Sequence, residues 1–233
     1  MHFFYLNFPR VVIADYPERL PFRLLWIFAL GMALTAAGAC ILFDLKGRKV
    51  AAWTGVGLLT LVVVAHIPSQ LAGQYAKVLG AWTNALKEMA LAGGAWIAAR
   101  THAAKGHPLS PWLERALPAG RYLFGVMLVL FGLDHFLYPQ FVAALVPDWV
   151  GAQMFWTYFA GTALIAGGIG IMVPRLARMA ALMTGVMILL WVPMLHIPRA
   201  IADPYMNVGN EWASVWEATA FSGVAFMLAA LSR

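Results

Sequence analysis

Long, nearly uninterrupted apolar segments dominate the hydrophobic pattern of this chain. Most of them are close to the roughly 20 residues that an α-helix needs to cross a hydrocarbon layer about 30 Å thick. A helix satisfies its backbone hydrogen bonds internally, and the short alternating segments typical of membrane β-strands do not occur. The pattern therefore predicts an all-α, polytopic membrane protein. The seven predicted spans are residues 24–43, 50–67, 82–100, 120–138, 153–173, 179–197 and 211–231.

Composition agrees with this prediction and narrows the set of partners. Of the 233 residues, 62% are hydrophobic and 11% are charged, and this charged share is about half that of a soluble globular protein. The net charge is +6, but the lysines and arginines gather in short segments beside the apolar runs, as topology signals do. Cys40 is the only cysteine, which excludes an internal disulfide. We therefore expect the lipid bilayer, and no nucleic acid, as a partner.

The sequence matches itself at an offset of 130 residues, without a gap from Met1 to about Ala72. With one residue of slippage the match continues, and it sets Glu88 against Glu217. Because residues with special backbone or packing roles recur in step, we interpret the match as the duplication of one helical unit. The matched positions include Trp26 and Trp156, Gly31 and Gly161, Gly38 and Gly168, and His66-Ile67-Pro68 and His196-Ile197-Pro198.

The two halves differ in their number of predicted helices. Residues 1–100 form a first unit of three spans, residues 101–119 a cytoplasmic linker, and residues 120–233 a second unit of four spans. The sequence thus predicts a 3+4 tandem repeat of a four-helix bundle whose first unit lacks its opening helix. Most lysines and arginines fall on one side of this arrangement, which the positive-inside rule assigns to the cytoplasm. The N-terminus is then predicted to lie outside and the C-terminus inside.

Ionisable side chains within predicted spans are costly to insert and are therefore the first candidates for function. At 1.5 Å per residue, Glu88 and Glu217 would lie roughly 9 Å below the outer surface. One interpretation is a polar pocket, open to the outside, in each half, formed by an imidazole from one helix and a carboxyl from another. Another is that the histidines only cap helix ends near lipid head groups. The candidates are His66, Lys87, Glu88, Asp134, His135, His196 and Glu217.

The residue types suggest roles for these candidates. An imidazole and a carboxyl in a low dielectric can exchange protons, and two tryptophans one helical turn apart can line a hydrophobic pocket. A haem between the halves, or a zinc ion, fits less well, because the histidines precede prolines and no H-E-x-x-H motif occurs. We therefore expect no metal. The predicted catalytic residues are Glu217, His196, Asp134 and His135, and the predicted ligand-binding residues are Glu88, His66, Trp212 and Trp216.

Several residues of the second half follow a distinctive order, namely Gly132-Leu133-Asp134-His135-Phe136, Tyr138-Pro139, Val146-Pro147-Asp148, Trp156, Gly161 and Pro174-Arg175. This order resembles the DoxX-like family of small four-helix membrane proteins. The resemblance covers about residues 120–231 and, more weakly, residues 1–100 as a second copy. In the ungapped repeat alignment, Phe4 and Tyr5 replace Asp134 and His135. Any function of that pair would then belong to the second half alone.

The resemblance implies a protein of the bacterial inner (cell) membrane that is associated with an oxidoreductase assembly, such as a thiosulfate:quinone enzyme. No flavin, nicotinamide or iron–sulfur fingerprint occurs, so electron transfer would need a bound quinone or a soluble or membrane subunit carrying the cofactor. We expect the chain to bind a quinone or a lipid near Glu88 and Glu217, as the membrane subunit of such a complex. The alternatives are a stand-alone membrane enzyme using Glu/His acid–base chemistry on a lipid-soluble substrate, and a structural membrane anchor. Whether the chain is an enzyme stays open.

Overall fold

Helices form the regular structure of the chain in the computed structural model, which describes residues 2–13, 20–102, 108–206 and 209–232. No strand occurs within these ranges. Six helices are long and apolar enough to cross a membrane, in agreement with an all-α, multi-pass membrane protein. They are Arg23–Leu42, Gly47–Ala72, Pro111–Leu137, Gln153–Met172, Ala177–Ala202 and Asn210–Leu231.

Several of these long helices contain more than one α-helical segment. α3 continues into α4, α6 into α7, and α10 into α11. The segments are α1 (His2–Tyr5), α2 (Arg23–Leu42), α3 (Gly47–Leu61), α4 (Ile67–Ala72), α5 (Thr83–Thr101), α6 (Pro111–Ala116), α7 (Gly120–Leu137), α8 (Pro139–Ala143), α9 (Gln153–Met172), α10 (Ala177–Trp191), α11 (Ile197–Ala202) and α12 (Asn210–Leu231).

The two helices that carry a His-Ile-Pro motif do not end there. The sequence predicts that the first of them ends at His66, ahead of Pro68, and this prediction is wrong. A π-helical turn at Val62–His66 joins α3 to α4, and the N–H of Ile67 bonds to the carbonyl of Val62. The wider turn accommodates the proline, which has no N–H and would clash with the carbonyl four residues earlier. α10 joins α11 in the same way, so His196 does not end its helix either.

α5 is a seventh long helix and lies inside the bundle. It has 19 residues but is not one of the six apolar helices. Three of its side chains, Lys87, Glu88 and Arg100, are charged. α5 packs against α3, α7 and α12, and most of its alanines and glycines are buried. α5 therefore connects the first half of the chain to the second.

Glycines allow α7 to approach both of its neighbours backbone to backbone. A methyl group added at Gly168 of α9 would lie 2.5 Å from the carbonyl oxygen of Gly125 in α7. One added at Gly93 of α5 would lie 2.6 Å from the carbonyl oxygen of Gly120. Such small residues permit closer packing than any larger side chain. α7 is thus fixed between α9 and α5.

Elements of the two halves have matching bounds. α2, α3, the π-helical turn and α4 recur as α9, α10, a second π-helical turn and α11, each starting and ending 130 residues later. In the predicted linker, residues 103–107 lie outside the described residues. Its last part is α6 followed by a short 3₁₀ turn, Leu117–Ala119, which leads directly into α7.

α1 corresponds to the end of α7, but at an offset of 133 residues rather than 130. A methyl group at Gly31 of α2 would lie 2.8 Å from Cβ of His2, and one at Gly161 of α9 would lie 2.7 Å from Cβ of His135. The neighbouring phenylalanines also take matching positions. Phe3 packs on Phe28 with ring centroids 5.7 Å apart, and Phe136 packs on Tyr158 at 5.6 Å.

The ungapped alignment that sets Phe4 against Asp134 and Tyr5 against His135 is therefore wrong. Three additional residues between α1 and α2 separate the two offsets. The sequence contains a signal for this register in the repeated pattern His-Phe-x-Tyr, which is His2-Phe3-Phe4-Tyr5 in the first half and His135-Phe136-Leu137-Tyr138 in the second.

Candidate functional site

The candidate ionisable residues lie at one end of the bundle, called here the histidine end, which includes His66, His135 and His196. The opposite end, called the basic end, includes Lys46, Arg121 and Arg175. At the histidine end, α3 and α4 meet the start of α5, and α10 and α11 meet the start of α12. The structure thus brings imidazoles and carboxyls from different helices to one level.

His66 and Glu88 form a fully buried pair between the π-helical turn and α5. Nε2 of His66 lies 2.8 Å from Oε2 of Glu88 and 3.0 Å from the carbonyl oxygen of Val11. Both side chains have no exposed surface. This arrangement matches the predicted imidazole and carboxyl from two helices. It does not match the alternative in which His66 caps a helix end near head groups, because that role would leave the ring accessible.

The hydrogen bonding of this pair is incomplete. Nε2 of His66 faces two acceptors, so it carries the proton, and Nδ1 is left to act as an acceptor when the ring is neutral. Within the described residues, Nδ1 of His66 and Oε1 of Glu88 have no hydrogen-bond partner. Buried polar atoms normally have one, since leaving them unpaired costs about 1–3 kcal/mol each. A side chain pair maintained at this cost is a candidate for function.

Lys87 and Glu217 form an ion pair between α5 and α12. Nζ of Lys87 lies 2.8 Å from Oε2 of Glu217, and both side chains are largely buried. The two residues are 130 positions apart, as are Gly94 and Val224, which also face each other across the two helices. Equivalent positions of the two halves therefore meet at the contact between α5 and α12.

His196 does not pair with Glu217, contrary to the predicted acid–base pair. The carboxylate of Glu217 is held by Lys87 instead. The positive charges of Lys87 and Arg199 lie close enough to His196 to act on it electrostatically. Arg199 is bound in turn by Glu211, with Nη2 to Oε1 at 2.9 Å and Nε to Oε2 at 3.1 Å. His196 therefore lies among cations, a different setting from that of His66.

Asp134 and His135 lie near the end of α7, close to α9. Nδ1 of His135 bonds to the carbonyl oxygen of Phe131 at 2.7 Å, and Oδ1 of Asp134 is buried without a hydrogen-bond partner in the described part of the chain. No hydrogen bond or ion pair among the described residues connects either side chain to His196 or Glu217. The structure gives no support to an orienting role for this pair.

The predicted tryptophan pocket is not formed. Trp212 is partly buried against the apolar core, whereas Trp216 is 62% exposed on the surface of α12. Successive residues of a helix point about 100° apart, so Trp216 does not share the face of its neighbour Glu217. Trp216 is placed to contact lipid rather than an enclosed ligand.

A polar cavity opens at the histidine end beside the His66–Glu88 pair. It has a volume of about 460 Å³ and is lined by Arg10, Ser69, Gln70, Gly73, Gln74, Tyr75, Ala81 and Asn84. Asn84 lies one helical turn before Glu88, and Ser69 and Gln70 lie one turn after His66, so these side chains share the faces of the pair. The cavity therefore lies directly above the pair, towards the surface.

The sequence did not single out two groups that complete this site. Val11 supplies a backbone acceptor and Arg10 a cation, both from a segment between α1 and α2 that has no motif. Among the residues that the structure describes, no three His, Cys, Asp or Glu side chains come together in a group that could hold a metal ion. The site offers hydrogen-bonding and ionic groups.

Residues 124–230 match a family described as a domain of unknown function, DUF8561. The match begins within α7 and ends within α12, so it includes most of the second half and just under half of the chain. No curated protein and no solved structure matches this chain.

Proposed function

We propose that the chain is a seven-helix membrane protein built from two tandem units, the first of three spans and the second of four. The matching bounds of α2 to α4 and α9 to α11 support this proposal. Further support comes from the family match, whose limits coincide with the second unit. α5 is then the third span of the first unit, and its charges are tolerated because they face the protein interior.

We further propose that the histidine end of the first unit binds a membrane-soluble small molecule with a polar head, a quinone or a lipid. The observation that carries this proposal is the buried His66–Glu88 pair with its unpaired Nδ1 and Oε1, beneath an open polar cavity. The head group binds among Arg10, Ser69 and Asn84, and the apolar tail lies along the lipid-facing surface. The site in the second half, with Glu217 held by Lys87, has no such unpaired carboxyl and imidazole.

The chemistry of the pair restricts the ligand. With His66 neutral, both unpaired atoms accept hydrogen bonds, so a hydroxyl-bearing head such as a quinol or a glycerol fits. With a proton on Nδ1, His66 donates and fits the carbonyl of a quinone. A buried pair that serves both protonation states suits a ligand that gains or loses protons with its electrons. The resemblance to the DoxX-like family supports a role as the membrane subunit of an oxidoreductase complex.

The test is mass spectrometry of the lipids and quinones that co-purify with the full chain in mild detergent. We expect one quinone or lipid to be enriched with the wild type and lost in Glu88→Gln and in Asn84→Leu, which fills the cavity. Glu114→Gln, an exposed carboxyl paired with Arg48 at the basic end, is the matched control and should retain the ligand.

Two outcomes would contradict the proposal. Equal, bulk-like lipid in the wild type and all variants would leave a structural anchor as the function. Loss of the ligand in Glu217→Gln but not in Glu88→Gln would move the site to the second half. An enriched quinone favours the redox role, and an enriched lipid without quinone removes it.

A further inference from the structure

The position of α7 in the second unit has an unfilled counterpart in the first. α7 lies against two glycines, Gly168 of α9 and Gly93 of α5, where it leaves no space for a methyl group. The residues 130 positions away are Gly38 of α2 and Gly223 of α12. At both of these glycines, an added methyl group would meet nothing within 4 Å. Both walls that would hold a helix equivalent to α7 are therefore open.

The exposure of α2 follows the same pattern. Ile165, Gly168 and Met172 of α9 form the surface that α7 covers, and they are buried or half-buried. Their counterparts Thr35, Gly38 and Leu42 are all exposed. Only 11% of the apolar window of α2 is buried, compared with 39% for α9, although both helices are equally long. The difference is confined to the side on which α7 lies in the second unit.

α1 occupies the end of this open groove, as the last turn of α7 occupies the end of the filled one. The ring of Tyr5 packs against Gly209, in front of α12, just as the ring of Tyr138 packs against Gly80, in front of α5. The hydroxyl of Tyr5 donates to the carbonyl oxygen of Pro204 at 2.9 Å. α1 is thereby anchored to α2 on one side and to the approach of α12 on the other.

One polar atom at this end has no partner. Nε2 of His2 is buried and has no hydrogen bond to any described residue, although the ring is only 8% exposed. Its counterpart His135 bonds through Nδ1 to Phe131, one turn earlier in α7. In the filled groove, the preceding helical turn thus satisfies the histidine, and in the open groove the corresponding turn is not there to do so.

We propose that the groove between α2 and α12 is a docking site for a single transmembrane helix of a partner protein, which takes the position that α7 holds between α9 and α5. The groove is defined by Thr35, Gly38, Leu42 and Gly223, with His2 at its end. The partner helix runs in the direction of α7 and stops below α1. It is a further interaction surface, independent of the ligand proposed at the histidine end.

The two walls specify the chemistry of the partner. In α7, Gly120 meets α5 and Gly125 meets α9, five residues later. Five residues correspond to roughly 140° around a helix, so the two glycines face different neighbours. The partner is therefore an apolar helix with two small residues five positions apart. A membrane helix gains affinity from such close backbone contact, since burial of apolar surface alone contributes little within lipid.

A second copy of this chain fits the groove less well. Its own α7 is already enclosed between α5 and α9. Two grooves facing each other would leave space between them, whereas one helix fills one groove. A partner helix also explains why both walls keep glycine where α7 has its closest contacts.

The test uses a synthetic peptide of residues 108–138 as the probe, since this segment contains α7, the helix that fills the equivalent groove. Labelled peptide is titrated against the full chain in lipid nanodiscs. We expect saturable binding with one peptide per chain. Gly38→Leu together with Gly223→Leu should weaken binding by at least about tenfold, because leucine blocks close approach of the helix backbone. Gly57→Leu is the matched control, since Gly57 is also in open space but lies on α3, and it should bind normally.

A second peptide with Gly120→Leu and Gly125→Leu tests the partner chemistry and should bind at least about tenfold more weakly than the first. The proposal is overturned if the first peptide does not bind, or if both glycine variants bind it as the wild type does. It is also overturned if the wild-type chain forms dimers that Gly38→Leu dissociates, because a second copy then occupies the groove.

Discussion

At the residue scale, the two halves use matched positions differently. Glu88 takes His66 as its partner, within the first unit, whereas Glu217 takes Lys87, from the other unit. The sequence alignment of Glu88 with Glu217 depends on one residue of slippage in the last helix. The contact between α5 and α12 instead follows the offset of 130, and this places Lys87 opposite Glu217. One residue of register therefore decides which carboxyl is free for a ligand.

The Lys87–Glu217 pair should show strong energetic coupling. We expect Lys87→Met alone and Glu217→Leu alone to destabilise the fold by about 2–4 kcal/mol each, because either change leaves a largely buried charge unpaired. The double variant should lie within about 1 kcal/mol of the wild type. The measurement is the free energy of unfolding in mixed micelles, followed by tryptophan fluorescence.

The exposed carboxyl of Glu114 provides the comparison for this cycle. It is 39% exposed and paired with Arg48, so Glu114→Gln should change the unfolding free energy by less than about 1 kcal/mol. Additive effects of the two substitutions in the Lys87–Glu217 cycle would mean that the two charges do not interact in the folded protein.

At the element scale, glycines determine which helices can touch. Small residues let α7 reach the backbones of α9 and α5, and the same residue type on α2 and α12 faces open space. A glycine conserved in type between the two halves therefore has two different environments. The π-helical turns are a second element-scale device, since they carry α3 and α10 past prolines and keep His66 at the level of Glu88.

Alanine substitution at equivalent glycines should have opposite effects. Gly168→Ala places a methyl group 2.5 Å from the carbonyl oxygen of Gly125 and should destabilise the fold by about 1–3 kcal/mol. Gly38→Ala places it in open space and should be neutral or stabilising by up to about 1 kcal/mol, since alanine favours the helix. Thermal unfolding of the two variants in the same detergent measures both effects, and equal destabilisation would contradict the assignment of an open groove.

At the scale of the whole molecule, α5 determines the topology. Its charged residues are paired or lie near its end, and its alanines and glycines pack against three neighbouring helices. If α5 crosses the membrane, the polypeptide has an odd number of spans and its two ends lie on opposite sides. If it does not, both ends lie on the same side.

Labelling from one side of the membrane distinguishes these cases. In a Cys40→Ser background, we expect Gln74→Cys and Ser110→Cys to react with a membrane-impermeant maleimide from opposite sides, because these positions flank α5. Gln74 should be the one accessible from outside if the basic end is cytoplasmic. Reaction of both cysteines from the same side would show that α5 does not span. Labelling after detergent solubilisation controls for reactivity.

Much of the fold could be predicted from the sequence because helix formation in a membrane is a local property. An apolar segment of sufficient length must satisfy its backbone hydrogen bonds internally, so the positions of six apolar helices follow from hydropathy alone. The repeat was visible for the same reason, since Pro, Gly, Trp and His leave recognisable marks. The prediction that the helices end before Pro68 and Pro198 failed because a π-helical turn, which the sequence does not mark, accommodates the proline.

The sequence by itself determined the all-α membrane architecture, the helix positions, the internal match between the halves and the set of ionisable residues to consider, among them His66, Glu88 and Glu217. Only the tertiary structure decided that Glu88 meets His66, that Lys87 takes Glu217, that His2 corresponds to His135, and that Gly38 and Gly223 stay uncovered. These outcomes depend on the register and rotation of helices far apart in the chain. A shift of one residue turns a side chain by about 100°, which changes its partner but leaves hydropathy unaffected.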